Sequence, residues 1–216
     1  MRSIVLVGGG GHCISILDAL SRMNIYDKVF VTDPACEVGK KIMCATVAGN
    51  DDCLSDLYKE GVQDAFISLG SITETNLRRK LHTKLKTIGF NMPNIIDPSA
   101  VISEYATLGE GVFIGKNAII NAKAKIGSNA IINTSAVIEH ECIVGEFTHV
   151  SVSSVMCGKA KVGNDSFIGA NSTVIHEVSI GDRVVIGAGS VILKDVNDDM
   201  TVVGVYKGHN KKMQNY

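Results

Sequence analysis

IIDPSA, VISEYA, TLGEGV, FIGKNA, IINAKA, KIGSNA: from Ile95 to Ala130 the chain falls into blocks of six. The same cutting continues without insertion through IINTSA, VIEHEC, IVGEFT, HVSVSS, VMCGKA, KVGNDS, FIGANS, TVIHEV, SIGDRV, VIGAGS and VILKDV to Val196. In all seventeen blocks the second residue is Ile, Leu, Val or Met, from Ile96 through Ile138 to Ile192. With about one residue in three aliphatic, chance agreement is on the order of 10⁻⁸. The sixth residue is usually small, and the third is Gly in eight blocks (Gly109, Gly115, Gly127, Gly145, Gly163, Gly169, Gly181 and Gly187). A helical stripe repeats at 3.6 and cannot follow a beat of six. A short strand and a tight corner can, and stacked units of that kind set each aliphatic above its equivalent while backbone groups pair between coils. The prediction is a parallel β-helix over 94–196, with 197–216 as a C-terminal tail.

Residues 1–93 predict a small Rossmann-like α/β domain. Ser3 to Val7 is an apolar run ending in Gly8-Gly-Gly-Gly11-His12, and Ile14, Leu17, Ala19 and Leu20 then follow a helical pattern on overlapping faces. Strand, glycine turn and helix open a βαβ unit. Strands are expected at 28–33 and 64–69, helices at 53–60 and 75–87, and a hinge at 91–94. The dinucleotide fingerprint is incomplete, because Cys13 stands where a third glycine would follow Gly8 and Gly10. The remaining glycine N–H groups at a helix start still suit a phosphate or a sugar hydroxyl, and Asp33 ends the strand that receives a ribose or base in such folds. The domain is half a dinucleotide fold, which favours a nucleotide-sugar pocket over NAD.

Composition narrows the function. Lys and Arg number 21 against 22 Asp and Glu, a net charge of −1. That balance supplies no basic footprint for nucleic acid or an anionic membrane surface. No run reaches the eighteen apolar residues of a membrane helix. The six cysteines show no metal-ligand spacing and follow no secretory leader, so a reduced cytoplasmic setting without a metal is expected.

The stretch INTSAVIEHECIVGEFTHVSV (Ile132–Val152) carries a His-Glu pair and a second His nine residues on. With the glycine-rich βαβ start and the hexads, the whole chain resembles the sialic acid O-acetyltransferase family, the NeuD-like and PglD-like hexapeptide sugar acetyltransferases. Within it, the UDP-4-amino-sugar N-acetyltransferases are most similar. The resemblance implies left-handed coils of three hexads, acetyl-CoA as co-substrate, and a homotrimer with each active site between two subunits. It implies transfer of acetyl to the 4-amino group of a UDP-linked 4-amino-4,6-dideoxy sugar. O-acetylation of sialic acid or another sugar hydroxyl is one alternative, and a non-catalytic sugar-nucleotide scaffold is another. By the same resemblance His140 is the general base and Glu141 raises its basicity. Asn133 holds the amino sugar or orients a backbone, and His149, Ala170 and Ala188 lie toward acetyl-CoA. Gly10, Gly11 and His12 take the sugar nucleotide, and Thr32, Asp33 and Gly70 its uridine side. Thr32 replaces an acid common in these relatives. The usual Gly-Val-Pro-Ala before a basic residue is here Gly204-Val-Tyr-Lys207, and Lys207, Lys211 and Lys212 either face the CoA phosphates or form an ordinary solvated basic tail.

The chemistry makes the same demand. An amine attacking a thioester must lose a proton, and an imidazole can accept one near neutrality. Consecutive strand residues point to opposite faces, so His140 meets Glu141 only at a corner; otherwise the orienting acid is Glu139. Neither Cys142 nor Cys157 has a base beside it in sequence, which predicts direct transfer in a ternary complex rather than an acyl-enzyme. His176 lies 36 residues past His140, two coils on in the same column with Gly158 between, and is read as a surface residue.

Overall fold

The structure is a computed structural model that describes residues 2–208. The N-terminal domain runs β1 (Ser3–Val7), α1 (Gly11–Met23), β2 (Lys28–Thr32), β3 (Lys41–Ile42), β4 (Ala45–Gly49), α2 (Leu54–Lys59), β5 (Asp64–Ile67) and α3 (Asn76–Ile88). Its sheet has the order β3-β4-β2-β1-β5, parallel apart from the β3/β4 pair. The β3/β4 edge was not foreseen, because Ala45–Gly49 is short and its residues are mostly small. On α1 the buried face is Cys13, Ile16, Leu17, Ala19 and Leu20. Ile14 is instead 44% exposed, since a stripe through Ile16 and Leu20 turns position 14 outward. The segment expected to be a hinge is packed: Asn91 bridges to Asp64 and Met92 is buried.

From Ile95 each hexad is one two-residue strand, and successive strands build the three faces of a left-handed parallel β-helix. Face one begins Ile95–Ile96, Phe113–Ile114, Ile131–Ile132, His149–Val150; face two begins Val101–Ile102; face three begins Thr107–Leu108. Pairing partners are eighteen residues apart, as in Ile119 with Val137 and Lys125 with Ile143. Second-position aliphatics and small sixth-position residues, including Ile120, Ile138, Ala118 and Ala136, form one axial core. The fifth position of every hexad from Gly111 to Gly189 is left-handed, with φ between 53° and 68°. That turn sends the chain around each corner. The coil does not stop at Val196: Thr201–Val202 joins face one and Val205–Tyr206 joins face two. The tail therefore begins later than the hexads imply, because two more strands pair after a shortened loop breaks the beat.

The α/β domain docks on face one, where Ile95, Phe113 and Ile131 share a core with α1. Helix α1 runs back along the prism. Arg22 meets Asp97 in the first coil, Asp18 meets Lys116 in the second, and His12 faces His149 in the fourth. Helix α3 covers the edge between faces three and one: Arg79 forks onto Asp165 at 2.8 and 2.7 Å, and Lys86 meets Glu110 at 2.9 Å. Among the described residues no helix is long and apolar enough to cross a membrane.

Candidate active site

Strand β1 lies between β2 and β5, and the crevice outside its carboxyl end is where sheets of this topology take their ligands. Gly10, Gly11, His12, Asp33 and Gly70 all lie on the loops or helix start at that end. Gly8 has φ +109°, a conformation that favours glycine. A Cβ at Gly10 or Gly11 would meet nothing within 4 Å, so the α1 N-terminus opens onto free space. Asp33 holds the turn by accepting from the N–H groups of Gly9 at 2.7 Å and Ala35 at 2.8 Å. Thr32 departs from its expected role. It is fully buried, and its hydroxyl donates to Asp51 at 2.8 Å, which leaves it no free proton for a base.

His149 occupies the first position of its hexad on face one and points outward into the docked domain, so it is buried in the junction instead of lining a groove. Its Nδ1 donates to the Ser71 carbonyl at 2.9 Å, and its Nε2 accepts from Asn133 at 3.2 Å. That pattern assigns a neutral ring. Burial, with the Arg78 charge adding to it, lowers its pKa to about 4. His12, 6.4 Å from His149 between ring centroids and edge-on to Phe113, is lowered to about 3 by burial, His149 and Arg78. Asn133 also accepts from the Thr134 N–H at 2.8 Å, so its amide is committed to holding this corner and His149 together.

Sequence reasoning did not single out Ser71, Arg78 or Asp165. Arg78 is 2% exposed, donates to the Asn129 carbonyl at 2.8 Å and faces the Phe147 ring at 5.7 Å. The available signal was its place three and seven residues before Leu81 and Leu85, the stripe that α3 buries. At Asp165, burial alone would raise the carboxyl, but the Arg79 fork and the Thr75 hydroxyl outweigh it and hold the group below the usual carboxylate range.

His140 stands elsewhere, on the edge between faces two and three. In a triangular prism that edge is opposite face one. Its side chain is 55% exposed, with Nδ1 3.3 Å from Glu141 Oε1. Glu141 takes the left-handed corner position, φ 61°, which is how adjacent residues meet here. Glu139 instead accepts from the His140 backbone N–H at 3.2 Å. With Nδ1 turned to a carboxylate, Nε2 is left to accept a proton. The ring lies over Gly158 one coil below, where a Cβ would come within 2.5 Å of Nε2. Cys142 points into the prism, with Sγ 3.2 Å from the Cys157 carbonyl, and burial pushes its pKa up to about 11. Ala170 is half-buried and Ala188 exposed, one coil apart on the edge between faces one and two. Lys207 is described, whereas Lys211 and Lys212 lie outside the described residues. No group of three His, Cys, Asp or Glu gathers in metal-binding geometry among the described residues.

Two family models match the chain: "PglD N-terminal domain" over residues 3–85, and "Bacterial transferase hexapeptide (six repeats)" over 105–140 and 159–194. The chain is similar to a mutant of GDP-perosamine N-acetyltransferase from Caulobacter crescentus in complex with CoA and GDP-perosamine. Identity is 33% over 94% of each chain, with a TM-score of 0.87. PerB from the same organism, in complex with CoA and GDP-perosamine, is 31% identical over 94% of this chain and 95% of that one, with a TM-score of 0.73. The acetyltransferase domain of PglB from Neisseria gonorrhoeae, in complex with acetyl coenzyme A, is 27% identical over 94% and 96%, with a TM-score of 0.88.

Proposed function

Because the chain belongs to the PglD-like family of hexapeptide-repeat sugar acetyltransferases, we propose that it acetylates the 4-amino group of a nucleotide-linked 4-amino-4,6-dideoxy sugar by direct transfer, with His140 as base. The chain is an acyltransferase of amino sugars, and acetyl-CoA is its co-substrate. The observation that carries His140 is its geometry: an exposed imidazole, Nδ1 toward Glu141 and Nε2 open above Gly158. The amine nitrogen attacks the thioester carbonyl carbon and forms the C–N bond, while Nε2 takes the proton from nitrogen. Collapse breaks the C–S bond, and the departing thiolate takes that proton from the imidazolium. The products are the acetamido sugar and free CoA thiol. Cys142, turned inward with a raised pKa, forms no acyl-enzyme.

One chain cannot complete this site alone, since the acceptor crevice lies over face one and His140 on the opposite edge. Face two supports a homotrimer. Its outward residues Val101, Ile119, Val137, Val155, Val191 and Val205 form a mostly apolar column, interrupted by Thr173, that is half-buried or exposed. Three copies packed with face two inward bring the His140 edge of one against the edge of the next that carries Asn133, Ala170 and Ala188. Such an isologous-free ring closes on itself as a cyclic assembly. The proposed setting is the cytoplasm, a reading that six free cysteines support.

UDP is the proposed nucleotide. GDP is the second reading, favoured by the two perosamine acetyltransferase structures at 33% and 31% identity. The test is thiol release from acetyl-CoA with UDP- and GDP-linked 4-amino sugars and with sialic acids. Turnover on a 4-amino sugar is expected, and His140→Ala lowers kcat by about 10²–10⁴ while the trimer persists by light scattering. Turnover confined to hydroxyl acceptors, or full activity without His140, overturns the proposal.

A further inference from the structure

The His-Glu pair of the base occurs twice on the same edge. His176-Glu177 repeats His140-Glu141 at the fourth and fifth hexad positions two coils below, and both glutamates have φ 61°. The two histidines therefore leave the backbone in the same direction, and between them stands Gly158, with no side chain to screen one from the other. Their carboxylates differ. Glu141 turns to the His140 ring at 3.3 Å, whereas Glu177 is taken by Lys159 at 3.4 Å. His176 is exposed and has no hydrogen-bond partner among the described residues. A ring without its carboxylate is a poor copy of the base but a free hydrogen-bonding group.

We infer that His176 binds the second amide of the pantetheine arm of acetyl-CoA; this rests on the proposed reaction at His140. Coils rise about 4.8 Å each, which sets His176 about 9.6 Å below the base. In an extended pantetheine the second amide carbonyl is eight bonds from sulfur. At about 1.2 Å per bond that is also about 9–10 Å. Below His176 the corner is shortened, with Ile180 bridging to Val196 sixteen residues on, and the regular column ends there, so an arm descending this edge meets, in order, the base, a gap and a hydrogen-bonding ring. The first amide falls at Gly158, where only backbone is available.

The test compares acetyl-CoA with S-acetyl-N-acetylcysteamine, a donor that ends after the first amide. His176→Ala raises KM for acetyl-CoA about tenfold, the worth of one hydrogen bond, leaves kcat within about twofold, and changes nothing with the short donor. His176→Gln recovers most of the loss. An unchanged KM for acetyl-CoA, or an equal loss with both donors, overturns the inference. His140→Ala separates the two proposals: full turnover there ends the assignment of the base, while lost turnover there with an unchanged acetyl-CoA KM in His176→Ala ends only this one.

Discussion

Two edges of one prism obey the same six-residue rule and do opposite things. On the edge between faces three and one the third hexad position is glycine in Gly109, Gly127, Gly145, Gly163 and Gly181, where an added Cβ would strike the next coil's backbone; at Gly127 it would lie 2.6 Å from the Glu146 nitrogen. On the edge between faces two and three the same position holds Ser103, Asn121, Glu139, Cys157, Ile175 and Leu193. The first edge is close-packed and fastened to α3 through Asn129, Asp165 and Phe147. The second has room for side chains and carries His140. Where coils approach too closely for a Cβ the repeat can only be structural; where they do not, it can hold chemistry.

Alanine at one glycine on each edge breaks that comparison if it is wrong. Gly158→Ala puts a methyl within 2.5 Å of His140 Nε2, and the ring, being free on the solvent side, swings away. The expected result is a kcat about 100-fold lower, with a melting temperature close to wild type, because displacing a catalytic group by about an ångström costs that much. Gly127→Ala meets backbone that cannot swing. It should cost about 1–3 kcal/mol or more in stability and leave kcat per folded molecule unchanged. Steady-state kinetics and thermal melts on both variants decide it; a loss of stability without a loss of turnover in Gly158→Ala would erase the distinction.

The strands of the prism were legible because seventeen hexads and the first seventeen two-residue strands coincide from Ile95 to Ile192. The partition of the glycines into one full column was not. It appears only once three hexads are wound into a coil and the α/β domain is seen to cover one side. That cover also misleads about His149, whose first-position slot reads the same as the solvent-facing Lys125 or Lys161 until α1 is laid over face one. The pairing of His140 with Glu141 was readable as a condition, a corner, but the choice between Glu141 and Glu139 needed the left-handed φ at 141. Thr32 fails differently. A residue at a strand's carboxyl end can point into the crevice or away from it, and Asp51, nineteen residues on, decides.

The junction of the α/β domain with face one makes stability depend on pH. His12 and His149 are held neutral, at about 3 and about 4. The unfolded chain binds their protons below about 6.5, so between pH 6.5 and 4 the unfolded state carries more protons than the folded one. Stability is complete above 6.5 and declines as pH falls through that window, by up to about 1.4 kcal/mol per unit for each imidazole. The melting temperature should fall over this range, and His149→Gln should flatten the slope. An equal slope in the variant would mean that the junction histidine does not limit the fold.

The smallest effect probes the open edge from within. Glu139 and Glu141 flank His140, yet one accepts from its backbone N–H and the other approaches its ring. If the ring contact matters, Glu141→Gln keeps the shape and loses the charge that stabilises the imidazolium, and kcat should fall about tenfold, on the scale of a charge-assisted hydrogen bond. Glu139→Gln keeps an acceptor for the backbone N–H and should change kcat by less than about twofold. Because Glu141 is exposed and Glu139 only half-buried on this corner, neither variant should move the melting temperature, so differences in rate report on the ring alone. Equal losses in the two variants would assign the effect to the general negative potential of the corner, and the reverse order would make Glu139 the acid that orients the base.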